Sequence, residues 1–448
     1  MSNIIQGAVD SGLYRNLFVE YGISQAEVDA KIADTWTKLF DLNSIAAPPG
    51  TDQTDPANTR IYYEINIPQI GEGAFILDSG NTTFIPTGDV RSEGMAFGMM
   101  IAVQLDKKDV FDKLWRWAKT YMYNLMYTQD SKNSRGYFSW AVDPVTCEKL
   151  DTGITPGSEF YFATALLFAS ARWGDGADIL EYGKYARQLL YDMVRRSWGN
   201  DPWDNSALFR REGDHWSQPL AIGYHMPVFC PYRGSSNHTA PSYHLPAFYE
   251  IWAEELERDI SDGSWRGRNI WKNESDIIAD AEFYRTAAKT SRAFFRTTVN
   301  QQDNTWLGPD YANFDGSPTG GQHVNFRYNA WRIAMNIGMD YAWWAKDPWQ
   351  NQFADGLQAF FVRQGVETYG NLWKLDGSPI QEGVGHHSPG LVSCNMVISL
   401  AATHPNAWLF VQDFWHTIMT TGKNRYYDGC LYMIGLLHAS GNFKAYLK

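Results

Sequence analysis

Glu93 stands in the segment DVRSEGMAFGMM, residues 89–100. Asp89 and Arg91 come just before it, and a run of glycine, methionine and aromatic residues follows. That composition belongs to a helix buried on more than one side, where a carboxylate in the first turn calls for an explanation. The unpaired N–H groups of a helix start favour the ionised form. A general acid near neutral pH needs the opposite, a carboxyl that stays protonated. Phe97, as an apolar neighbour, and Asp89, as a like charge, are local sources of such a shift. The plainer reading is a carboxylate that merely complements the helix dipole, and spacing alone does not separate the two.

A second set of residues suggests sugar. Trp140, Tyr243, Trp331, Tyr426 and Tyr427 lie in or beside loops rich in Gly, Pro and Asn. Sugar rings stack their C–H faces on such aromatics, and neighbouring Asp, Asn, Arg and His side chains hydrogen-bond the hydroxyls. Any one aromatic is more often packing than platform, but 19 tryptophans in 448 residues favour a carbohydrate cleft over chance. His386 and His387 sit together in the Gly-rich stretch GVGHHSPGL, residues 383–391. No third ligand stands at a suitable spacing, so a metal site is not expected there. No D-x-D-x-D-G calcium loop is present either.

The bulk numbers narrow the class. A net charge of −12 argues against nucleic acid, whose phosphates need a basic surface. No apolar run reaches the ~18 residues of a membrane span. The first residues, MSNIIQGAVDSGLYRN, lack a basic stretch followed by an apolar one, so a cytoplasmic location is expected unless a leader has been removed. Cys147, Cys230, Cys394 and Cys430 show no CxxC spacing, so buried free thiols are expected.

The elements that must position these groups are mostly helical. Apolar periodicity predicts twelve helices, over residues 24–40, 92–105, 108–126, 158–173, 178–197, 243–258, 275–299, 329–345, 349–364, 389–403, 406–420 and 426–440. The first opens with a capping box, Ser24 to Glu27. Several are apolar nearly all round and others have a polar face. Six consecutive hairpins, buried helices inside and half-exposed helices outside, would close into an all-α toroid. A solenoid or two bundles are the alternatives, and no fixed repeat favours a solenoid. Strands are expected only at RIYYEI (60–65), GYFSWAV (136–142) and segments such as GLYRN, with loops over 43–60, 66–91, 199–242 and 302–328. No linker composition divides the chain, so residues 1–448 read as one domain, expected to be a monomer.

The segment DVRSEGMAFGMM resembles the signature of glycoside hydrolase family 8. FDKLWRWAKTYM, GYFSWAV, SEFYFATALLFASARWGDG, PSYHLPAFYE, YNAWRIAMNIGMD and NRYYDGCLYMIGLLHASGNFK follow in the family's order. The likeness is closest to the xylan-active members, above all the reducing-end xylose-releasing exo-oligoxylanases. It implies an (α/α)6 barrel, no cofactor, a xylooligosaccharide partner, and cleavage of β-1,4 linkages with inversion. Glu93 matches the general acid. Tyr243 matches a tyrosine near the attacking water, Trp140 an aromatic sugar platform, and Arg91 an arginine lining the cleft. Arg332 follows the base position by three residues and shares its helix face. The exo-acting members carry, in a loop before this helix, a histidine that recognises the reducing-end hydroxyl; His386 and His387 could serve here, though the proline stands one or two positions later, and Tyr426 and Tyr427 stand in the last of the matching segments.

Two departures bear on mechanism. The family's base aspartate is replaced by Asn329, and an amide cannot take a proton from water at useful strength. The aspartate that touches the sugar ring is replaced by Gly157, with Glu159 two residues on. Four explanations follow. Asn329 stands in for an exchanged aspartate; or another residue, among Glu159, Asp204, Glu382 and His386, acts as base; or phosphate, held by Arg91, Arg332, His386 and His387, attacks in place of water; or the protein binds oligosaccharide without cleaving it.

Overall fold

The structure is a computed structural model that describes residues 6–80, 84–125, 135–196, 207–210, 224–231 and 235–448. Two short helices open it, α1 (Ala8–Ser11) and α2 (Leu17–Tyr21), too short for periodicity to announce. The residues 12–16, GLYRN, join them without forming a strand. Every helix expected from periodicity is present. They are α3 (Gln25–Phe40), α4 (Ser92–Gln104), α5 (Lys108–Trp117), α6 (Pro156–Trp173), α7 (Tyr182–Arg195) and α8 (Pro246–Asp262), then α9 (Glu274–Thr298), α10 (Tyr328–Trp344), α11 (Trp349–Gln364), α12 (Pro389–Val397), α13 (Ala407–His416) and α14 (Arg425–Ala439). The Ser24–Glu27 capping box closes the start of α3 in both directions. Helix α5 stops sooner than expected, because the chain widens into a π turn over Ala118–Met122.

The helices divide by burial. In α4 every residue from Gly94 to Gln104 is buried, and in α6 every residue from Pro156 to Ser170. Such helices have no polar face because they have no solvent face. They pack in succession: α4 on α6, α6 on α8, α8 on α10, α10 on α12, α12 on α14, and α14 back on α4. Each also takes one more neighbour, which are α5, α7, α9, α11, α13 and α3 in the same order. Helices α5 and α7 bury one stripe and leave the opposite face wet, as their alternating Lys, Arg and apolar residues require. No helix among the described residues is long and apolar enough to cross a membrane.

The strands go beyond the sequence expectation. Five of them, β1 (Tyr62–Ile67), β2 (Gly71–Asp78), β3 (Asp89–Arg91), β4 (Ala141–Val142) and β5 (Lys149–Asp151), form one antiparallel sheet in that order. Residues 66–91, expected as a loop, hold the end of β1 and all of β2 and β3. Of GYFSWAV only the last two residues enter β4. The register pairs Asp78 with Asp89, Arg91 with Ala141, and Ala141 with Asp151. Directly paired residues share a face of a sheet, as do residues two apart on one strand. Asp78, Asp89 and Arg91 therefore lie on one face. Leu77, Val90 and Val142 lie on the other, in the apolar core. The β4–β5 register shifts between Ala141 and Val142. Gly98 of α4 lets this sheet come close, since a Cβ there would meet Ile76 Cγ1 at 2.8 Å.

Candidate active site

Strand β3 runs straight into α4, so the sheet fixes where Glu93 begins its helix. Asp89–Arg91 is held on both edges by β2 and β4, and the Ser92 N–H donates to the Trp140 carbonyl at 3.1 Å. The Ser92, Thr155 and Ser158 hydroxyls, 2.7–3.2 Å apart, tie the start of α4 to the start of α6. Glu93 follows at once, with its side chain 24% exposed. A buried helix thus presents one carboxyl at its open end.

Helix α10 begins facing it. Arg332, buried, donates from one Nη to Glu93 Oε1 at 2.5 Å and from the other to Asn329 Oδ1 at 2.9 Å. A guanidinium has donors only, so the Asn329 oxygen must be the atom that faces it. The Asn329 amide nitrogen is then left for the cavity. Asn329 therefore offers a hydrogen-bond donor to whatever lies in front of it. The first turn of α10 is held by Asp310, which accepts the Ala330 N–H at 3.0 Å and pairs with His323 at 3.0 Å.

Two cavities lie near this line, and Glu93 and Asn329 line the first of them. One, of about 240 Å³, is lined by Glu93, Asn329, Trp140, Tyr243, Tyr311 and Asp151, among others. The other, of about 310 Å³, is lined by Trp331, Tyr426, Tyr427, His386, Asp78 and Asp428, with Glu382 and Lys423 at its edge. Tyr426 lies flat against α4, and a Cβ on Gly94 would come within 2.4 Å of its ring. Tyr427 donates to the Tyr328 carbonyl at 2.9 Å and sits 6.0 Å from the Trp331 ring. Arg91 is bonded to Asp89 at 2.6 Å and stacks over Trp140 at 4.1 Å, so its charge is answered from within the protein.

Electrostatics differ between the two. Burial pushes the Asp78 carboxyl up to about 6, with Asp89 and Glu93 adding to the shift and the Gly80 N–H and Arg91 opposing it. Burial lifts Asp428 to about 6 as well, against hydrogen bonds from Thr420 and the Gly390 N–H. On the Asn329 side, burial drives the Tyr243 hydroxyl well above its ordinary value.

Residues 61–189 match the family model described as glycosyl hydrolases family 8. The chain is 37% identical over 445 residues to the reducing-end xylose-releasing exo-oligoxylanase Rex8A of Paenibacillus barcinonensis, covering 98% of this chain and 99% of that one. It belongs to glycosyl hydrolase family 8. A reducing end xylose-releasing exo-oligoxylanase of Halalkalibacterium halodurans is 35% identical over 447 residues, with 99% and 97% coverage. Among solved structures, a family 8 xylobiose complex from Teredinibacter turnerae superposes with a TM-score of 0.80 at 37% identity, over 99% of this chain and 100% of that one.

Within this family 8 chain, the residues singled out from sequence divide by placement. Glu93, Asn329, Trp140 and Tyr243 line the smaller cavity; Trp331, His386, Tyr426 and Tyr427 line the larger. Arg332 joins the acid position to the base position, while Arg91 supports the floor beside Trp140. His387 turns the other way from His386. Its Nδ1 meets the Tyr369 carbonyl at 3.1 Å and its Nε2 meets Asp413 at 3.2 Å, and it lines neither cavity. Glu159 is fully buried, takes the Phe138 N–H at 2.9 Å, and is pushed well above the carboxylate range by burial. It lines neither cavity. Gly157 has a local reason, for a Cβ there would meet the Tyr243 ring at 2.8 Å. Asp204 lies outside the described residues.

Sequence reasoning passed over Asp78, Asp151, Asp428 and Tyr311. Asp428 carried a signal, one position beyond the tyrosine pair in NRYYDG. The others are brought in by sheet register and loop packing, which leave no local pattern. None of the four cysteines is in a disulfide, and Cys230, whose thiol donates to the Ile154 carbonyl at 3.2 Å, lines the smaller cavity. Among the described residues no group of three or more His, Cys, Asp or Glu is placed to hold a metal ion.

Proposed function

We propose that this chain is an inverting hydrolase of β-1,4-xylooligosaccharides that releases xylose from the reducing end, built as one (α/α)6-barrel domain. The observation that carries the reading is the Glu93–Arg332–Asn329 line at the open ends of α4 and α10, with an aromatic-lined cavity on each side. Glu93 hands its proton to the glycosidic oxygen as the bond to the anomeric carbon breaks. Trp140 and Tyr243 on one side, and Trp331, Tyr426 and Tyr427 on the other, take successive sugar rings. His386 limits the second cavity and meets the reducing-end hydroxyl. The six buried helices that contact one another in a closed succession, each backed by a half-exposed partner, support the barrel. The xylose-releasing activity named for the 37% and 35% identical relatives supports the substrate.

Product analysis with xylotetraose tests the reading, on this chain and on Asn329→Asp, with and without phosphate. Xylose plus xylotriose, independent of phosphate, is the expected result. Phosphate-dependent release of a sugar 1-phosphate would replace hydrolysis with phosphorolysis. Binding without turnover in both proteins would make the chain an oligosaccharide-binding module.

A further inference from the structure

An inverting hydrolase needs a proton acceptor across the sugar from its acid, and Asn329 cannot be one. We propose that Asp151 is that acceptor, the catalytic base of this chain. The proposal rests on the hydrolytic reading above and adds to it the residue that activates water.

Among the described residues, Asp151 is the one carboxylate other than Glu93 that lines the cavity into which Asn329 faces. None of the other described acids near the cleft lines that cavity. Asp78, Glu382 and Asp428 line the opposite cavity. Asp310 is bonded to the Ala330 N–H and His323. Glu159 is sealed in the core. Nor can the acidic position at 157 be refilled, because the Tyr243 ring occupies the space a side chain would need.

The sheet gives the distance scale. Arg91 pairs with Ala141 and Ala141 with Asp151, across a register shift between Ala141 and Val142, so the Arg91 and Asp151 backbones lie two ladder spacings apart, about 10 Å. Glu93 opens its helix two residues beyond Arg91. Inverting enzymes keep their carboxyls far enough apart to admit a water, and Glu93 and Asp151 line one cavity of about 240 Å³, ample for one. The Gly153 N–H donates to Asp151 Oδ1 at 2.7 Å and holds the carboxylate at the end of β5. The Asn329 amide nitrogen can donate to the water oxygen and position it. In the reaction the water oxygen bonds to the anomeric carbon and its proton passes to Asp151. The glycosidic C–O bond breaks, and the leaving oxygen takes the proton of Glu93. Exchange with solvent then returns both carboxyls to their starting states.

The experiment uses the full chain and xylotetraose. Asp151→Asn keeps an oxygen for the Gly153 N–H and removes the acceptor. We expect kcat to fall by about 10²–10⁴-fold, with xylotetraose binding retained by tryptophan fluorescence and the acid limb of the pH–kcat profile lost. Asp151→Ala supplied with azide, an anion that needs no base, should regain turnover and form an α-configured glycosyl azide. Undiminished hydrolysis by Asp151→Asn overturns the proposal. So does an inert parent chain that becomes active only as Asn329→Asp, which would leave the xylooligosaccharide reading intact. If no variant cleaves, that reading falls and Asp151 as base falls with it.

Discussion

The two cavities beside Glu93 are built on different terms. On the Asn329 side the charges are tied down: Arg332 is shared between Glu93 and Asn329, and Asp151 accepts a backbone N–H. On the Tyr426 side the aromatics are denser, and two carboxyls, Asp78 and Asp428, are lifted to about 6 by burial. The first arrangement fixes a few polar atoms for a chemical step. The second presents rings and hydroxyl partners for grip, at a cost in charge burial. On the function proposed above, chemistry belongs to the cavity that Glu93 lines and recognition to its neighbour, and variants of the two should fail differently.

The largest effect is expected at the carboxyl itself. Glu93→Gln should reduce turnover of unactivated xylotetraose by roughly 10²–10⁴-fold, while oligosaccharide binding stays close to the parent and melting falls because the buried Arg332 loses its counter-charge. Steady-state kinetics with calorimetry would check it. Equal losses in turnover and binding would erase the division between the two sides.

Gly94→Ala should strike the gripping side through packing. The added methyl would overlap the Tyr426 ring, and overpacking of this kind costs about 1–3 kcal/mol. The expected signature is a lower melting temperature with a raised KM and a smaller change in kcat.

Asp428→Asn probes the cost of the lifted carboxyl. Between its ordinary value of 3.8 and about 6, the folded protein holds a proton that the unfolded chain has released. Stability therefore declines as pH rises through that window and is level on either side. The Asn variant should lose this slope and gain on the order of 2 kcal/mol near neutral pH, with little gain below the window. Urea unfolding at a series of pH values reads both limits.

The smallest effect separates two adjacent histidines. Burial lowers the His387 pKa, but Asp413 and the Tyr369 carbonyl outweigh it and leave it raised. That stabilisation is full below the ordinary imidazole value and fades as pH climbs through the folded one. His387→Ala should cost about 1 kcal/mol at mildly acidic pH, with an unchanged product pattern. His386→Ala should leave stability alone and blur the release of single xylose units. The reverse result would exchange their assignments.

The helices were legible because residues such as Met95 to Val103, or Phe160 to Ala169, are apolar on every face, which only a helix inside other helices tolerates. Strands β3 and β5 were not, because three residues are too few to show a period of two. Strand β2 hid for another reason, as its GAFIL run is buried without alternation. The same division holds for the site. Glu93, Arg332 and Tyr243 stand in segments with a recognisable pattern. Asp78 and Asp151 reach their cavities through strand pairing, which is settled between distant parts of the chain. His386 and His387 look alike in sequence, and only their neighbours tell them apart.

The pairing of β3 with β4 and of β4 with β5 makes the sheet a gauge block for the cleft. Side chains alternate along a strand, so one extra residue inserted between Asp89 and Arg91, or before Asp151, would turn that strand's polar atoms inward and its valine or leucine outward. The turn at residues 143–148 carries no such constraint. Length changes in this chain should therefore be tolerated at that turn and rejected a few residues to either side.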